Sequence, residues 1–165
     1  MKPFLLLGLC LLPGALLAAE PQPAPAAKTS SHAMVHAATI QWGDAPPSLP
    51  PGAQAFVLAG DPGKPGPFAI RLKAPPGYRV PRHWHPTDEQ VTVVEGDVTL
   101  SMGETTDAHE ADFVPGDYVM LPAHMQHEAS TKNGAVVQIN STGPFEINYI
   151  NPADDPRKQA AAQTK

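Results

Sequence analysis

Five of the chain's seven histidines fall between residues 83 and 127. His83-Trp84-His85 comes first, and Glu89 follows four residues after His85. On an extended strand, residues two apart project from the same face, so His83 and His85 are expected to point together. Pro86 stops that strand, and Thr87-Asp88 can turn the chain so that Glu89 returns on the next one. Two imidazoles and a carboxylate on one face make a transition-metal site that lacks a closing ligand. His127, which follows a second strand-and-turn, is the candidate for that place. The expected metal ligands are therefore His83, His85, Glu89 and His127. They would hold one divalent transition metal, with Fe, Mn, Ni, Cu and Zn all compatible. No catalytic residue is assigned.

Short strands must position these groups. Phe68, Ile70 and Leu72 alternate with Ala69, Arg71 and Lys73, a period of two that suits a half-buried strand. Val91 and Val93 repeat the pattern, as do Val98, Leu100 and Met102 beyond the turn candidate Glu95-Gly96-Asp97. Tyr118 to Leu121, Val136 to Ile139 and Phe145 to Tyr149 supply further runs. Gly, Pro and Asp clusters separate them, and many short strands at such spacing indicate an antiparallel sandwich or barrel. Glu104 to Asp112, with His109, reads as a solvent-facing loop. The one helix candidate, Arg157 to Gln163, follows Pro156, and Asp154-Asp155 before it suits a turn or cap.

A family resemblance rests on two stretches. Gly77 to Gly96 reads Gly-x5-His-x-His-x3-Glu-x6-Gly and resembles the first motif of the cupin family at every fixed position. Gly116 to His127 reads Gly-x5-Pro-x-His-x2-His and resembles the second. That resemblance implies an all-β, single-domain jelly-roll barrel with a metal inside its mouth, held by His83, His85, Glu89 and His127. Two positions depart from the second motif: His124 stands at the usual glycine, and Thr131 at the usual asparagine. A histidine at a turn that requires positive φ would be strained. Its spacing of three from His127 makes His124 a candidate to stand behind the ligands or to face a substrate, against the alternative of a surface-facing ring with no role.

Lys2, an apolar run from Phe4 to Leu17 and the small pair Ala18-Ala19 form the three-part pattern of a secretory signal peptide. The expected organisation is a signal peptide over 1–19, a Pro/Ala-rich flexible linker over 20–38, a barrel over 39–152 and a tail over 153–165. Export to the periplasm or the exterior follows, without stable insertion in the membrane after cleavage. The chain's single cysteine, Cys10, falls inside the apolar run, so the mature protein would carry neither disulfide nor thiolate nucleophile. Within the linker, His32-Ala33-Met34-Val35-His36 offers soft donors but reads as solvated chain. With 11 basic against 16 acidic residues, the chain lacks the surplus that a nucleic-acid partner would need.

The expected partner is a small molecule, and the resemblance is compatible with a homodimer. Three functions fit the residues. The first is a metal-dependent enzyme acting on a small oxygenated or carboxylated substrate by oxidation, decarboxylation or isomerisation. The others are a metal-dependent binding module without turnover and a barrel with a structural metal. An Arg or Lys aimed into the barrel would favour a carboxylate. Arg71 and Lys73 are expected outside by alternation, while the directions of Arg79 and Arg82 stay open.

Overall fold

The computed structural model describes residues 32–163. The expected signal segment, residues 1–19, lies outside them together with residues 20–31 of the expected linker. Alternating apolar and polar residues, interrupted by Gly, Pro and Asp, produce eleven strands. They are β1 (Gly43–Asp44), β2 (Gln54–Ala59), β3 (Gly66–Ala74), β4 (Arg79–Trp84), β5 (Glu89–Gly96) and β6 (Val98–Met102), then β7 (His109–Phe113), β8 (Tyr118–Leu121), β9 (His127–Ser130), β10 (Ala135–Gly143) and β11 (Asn148–Tyr149). One sheet has the order β1-β2-β3-β10-β5-β8 and the other β11-β4-β9-β6-β7, with every pairing antiparallel. Among the described residues, no helix is long and apolar enough to cross a membrane.

Residues from both sheets meet in the core. Phe68, Ile70, Val91 and Ile139 form one buried cluster. Val93 and Ala135 of the first sheet meet Val98 and Leu100 of the second in another. This is the two-layer, non-consecutive arrangement of a jelly roll. The turn at Glu95-Gly96-Asp97 is present, but it carries the chain from one sheet to the other instead of closing a hairpin. Gly96 has φ +78°, and a β-carbon there would overlap the Gly134 carbonyl. Asp97 then accepts hydrogen bonds from the backbone N–H groups of Lys132 (2.8 Å) and Asn133 (3.0 Å), which fixes the approach to β10.

Two sequence expectations change. Residues 109–113 are not loop: β7 is an edge strand paired with β6, where Thr99 donates to Asp112 at 2.6 Å. Its exposed Glu110 and Asp112 are charges of the kind that discourage further pairing at a sheet edge. The run Phe145 to Tyr149 is a strand only at Asn148–Tyr149, because Phe145 and Glu146 turn toward the histidines. The expected helix forms as α1 (Pro156–Gln163), with Arg157 N–H bonded to the Asp155 carboxylate at 3.0 Å.

Candidate metal centre

β4 delivers His83 near its end, with His85 just beyond; Glu89 opens β5 and His127 opens β9. His83 pairs directly with His127 in the β4–β9 register, and Glu89 with Leu121 in β5–β8. Two sheets thus supply one site, and all four residues are buried. The candidate donor atoms of His83, His85 and His127 lie within 4.8 Å of one another. Glu89 Oε2 adjoins this group, 3.5 Å from His85 Nε2 and 3.3 Å from His127 Nε2.

Each ring is fixed through its other nitrogen. His83 Nδ1 lies 2.7 Å from the Pro81 carbonyl, His85 Nδ1 2.7 Å from that of Glu146, and His127 Nδ1 3.0 Å from that of Met125. A carbonyl oxygen can only accept, so each Nδ1 carries a hydrogen and each ring turns its Nε2 toward the cluster. His85 Nε2 is buried without a hydrogen-bond partner, the mark of a group whose partner is not protein. Phe145 stacks on the His85 ring at 4.2 Å with an interplanar angle of 16°.

Burial, assisted by His127 and His85, pushes His83 down to about 3, and burial also lowers His85. Burial alone would raise the Glu89 carboxyl, but the neighbouring His127 and His85 outweigh it and hold Glu89 below its ordinary value. Neutral imidazoles beside a carboxylate, with one orphaned nitrogen, are a donor set that fits a divalent transition metal.

The centre forms one wall of a cavity of about 470 Å³ between the sheets. Val91, Val98 and Leu100 line it, whereas Val93 does not and packs against Val98 and Leu100 in the core. Arg71 and Lys73 are absent from the cavity lining; Arg71 Nε is buried without a hydrogen-bond partner, and Lys73 lies over the Trp42 ring at 5.7 Å. Arg79 pairs with Glu128 through two bonds of 2.8 and 2.7 Å. Arg82 bonds the Gly103 carbonyl and, at 2.7 Å, the Ser101 hydroxyl.

His124 is not brought to the cavity. Its φ is +65°, so it adopts the glycine-like conformation of that turn, and its exposed ring lies 4.8 Å from Trp84. Trp84 alternates with His83 and His85 and therefore leaves the opposite face of the strand. His124 touches the cluster only through its backbone N–H, which donates to the His85 carbonyl at 2.8 Å. Thr131 is buried, and its hydroxyl accepts from Gly134 N–H at 3.0 Å.

Sequence reasoning passed over the segment 45–53, which roofs the cavity. The Tyr78 hydroxyl donates to the Pro50 carbonyl (2.6 Å) and the Tyr149 hydroxyl to that of Ser48 (2.7 Å). Between these ties, Leu49 turns inward and is 9% exposed. Burial pushes Tyr78 up to about 12 and Tyr149 higher still, so both phenols remain protonated donors. The proline clusters at 46–47 and 50–51 were a signal for an ordered strap.

Comparison with known proteins follows the same lines. The ChrR cupin-like domain matches residues 30–146. No curated protein matches the chain. Among solved structures, KdgF from Halomonas sp. is 22% identical, covering 70% of this chain and 96% of its own, with a TM-score of 0.54. The polyketide cyclase RemF from Streptomyces resistomycificus is 16% identical, covering 79% and 94%, with a TM-score of 0.60. An RmlC-like cupin from Shewanella frigidimarina is 17% identical, covering 68% and 91%, with a TM-score of 0.54. At these identities the likeness is one of fold.

Proposed function

Because the chain belongs to the ChrR cupin-like domain family, we propose that it is an exported metal-dependent enzyme acting on a small oxygenated molecule. His83, His85 and His127 would hold the ion, with Glu89 as the fourth ligand. The observation that carries this reading is the set of three imidazoles pinned through Nδ1, with Nε2 turned toward one another, on the wall of a cavity large enough for a small molecule. When bound, a divalent metal supplies Lewis-acid polarisation of an oxygen donor. Glu89 contributes a negative charge that offsets the ion's in a site shielded from solvent. Phe145 holds the plane of His85, and the apolar walls keep water out, where electrostatic effects are strongest. The carboxylate branch of the substrate class has less support, since among the described residues no Arg or Lys lines the cavity. One of the similar structures is a polyketide cyclase, which supports the scaffold's capacity for turnover.

Elemental analysis of protein recovered from its native location should find one metal per chain, and the double variant His83→Ala/His85→Ala should lose it. Unchanged stoichiometry in that variant would place the metal elsewhere. Azide should perturb the spectrum of the Fe-, Mn-, Ni- or Cu-loaded protein if a coordination position is open. A centre silent to small anions, with Zn in the native protein, would instead mark a structural ion. Export rests on Lys2, the apolar run and Ala18-Ala19. Intact-mass measurement should show the soluble exported form without residues 1–19, and Met1 still attached would refute it.

A further inference from the structure

We infer that the cavity selects an uncharged, largely apolar ligand with an oxygen donor at one end, and that Leu49 sets the size it admits. This rests on the proposal that the cavity is the substrate chamber of the metal centre, and it narrows that proposal to a chemical class. The charged side chains lining the cavity are two carboxylates: Glu89 in the centre and Asp61 at the rim. Asp61 is already paired with Lys64 at 2.8 Å. The four cations considered from the sequence, Arg71, Lys73, Arg79 and Arg82, are absent from the lining, and Lys73, Arg79 and Arg82 are engaged with other groups. A carboxylate or phosphate entering here would lose its hydration with no protein cation to replace it, beside a buried Glu89. An apolar ring or chain instead finds aliphatic walls from both sheets.

The roof makes the chamber selective for size. Leu49 projects from a strap whose ends are held by Tyr78 and Tyr149 through carbonyl oxygens on either side of it. A backbone bond from Leu49 N–H to the Pro46 carbonyl at 2.9 Å closes the turn that aims it inward. Because both ties are made to main chain, a change of side chain at position 49 alters the space below without releasing the strap.

The test uses the full mature chain and a pair of probes matched in ring but not in charge, 2-naphthol and 2-naphthoate. Binding is measured by titration calorimetry near neutral pH on metal-free and metal-loaded samples. The metal-free protein should bind 2-naphthol at least about tenfold more tightly than 2-naphthoate. Leu49→Trp should weaken 2-naphthol by at least about tenfold while leaving metal stoichiometry unchanged. Equal or tighter binding of 2-naphthoate by the metal-free chain, or of neither probe, would overturn the inference. So would unchanged 2-naphthol affinity in a folded Leu49→Trp variant. If that variant does not fold, the matched pair on the natural sequence still decides the charge selection, and Leu49→Ala, which should admit a bulkier neutral ring, decides the size selection. Failure of metal binding would refute the metal-dependent reading alone, since the discrimination is read on metal-free protein.

Discussion

Lowering the pH should unfold the metal-free protein through His83, and the effect has a calculable size. An imidazole in the unfolded chain takes up a proton near pH 6.5. In the folded protein His83 is only 4% exposed and stays neutral down to about 3. Between those values the unfolded state holds one more proton than the native state, so stability rises with pH and falls as acid is added. The slope is about 1.4 kcal/mol per pH unit for one such group, which amounts to about 2.7 kcal/mol of lost stability at pH 4.5. For a domain of this size that corresponds to a fall in Tm on the order of 10 °C. His85 is lowered in the same direction and steepens the same window, whereas Glu89 adds its loss only below its ordinary range. Thermal or urea unfolding of metal-free protein from pH 7 to 4.5, beside His83→Gln, isolates the His83 contribution. The natural chain should lose stability more steeply than the variant. Parallel losses in the two proteins would show that His83 is not held neutral by the fold. Metal should raise stability most at neutral pH, because protons compete with it for the same nitrogens.

Three further outcomes follow from the geometry. His124→Gly relieves a backbone held at positive φ, worth about 1 kcal/mol, but also removes the ring against Trp84. Metal content should stay intact and stability should move by no more than about 1 kcal/mol, whereas loss of metal would contradict the outward placement of that ring. Gly96→Ala forces a β-carbon into the Gly134 carbonyl at positive φ, and chemical denaturation should show a loss exceeding about 3 kcal/mol. Leu121→Ala deletes a core side chain opposite Glu89 in the strand register, and should cost about 2–5 kcal/mol while weakening metal retention in a chelator competition.

The convergence of the candidate ligands was legible because strand geometry maps spacing directly onto direction. His83 and His85 two apart, Pro86 as a stop and Glu89 after a short turn left little freedom for where their side chains could go. The same alternation correctly put Arg71 and Lys73 outside the cavity. What was not legible depends on partners distant in sequence. The strap over 45–53 reads as a proline-rich loop until Tyr78 and Tyr149, the latter about a hundred residues away, are seen to tie it. β7 was missed because its charges conceal a strand that needs only one side covered. For His124, spacing left a site-facing ring and a surface-facing ring both open, and the ring is exposed beside Trp84 on a turn at positive φ.

The carbonyl anchors on the three imidazoles also bear on when the ion would arrive. Pro81, Met125 and Glu146 contribute main-chain oxygens, which are placed by folding itself and owe nothing to a bound ion. Such a nest of lone pairs is assembled in advance, so loading needs no rearrangement of the rings and an exchange of ions needs no unfolding. Shape then does little to discriminate among ions that accept imidazole, and the affinity series alone would favour copper over iron or manganese. The occupant would therefore follow the free-metal pool around the folded chain: the same folded protein moved between two compartments with different pools would exchange one ion for another.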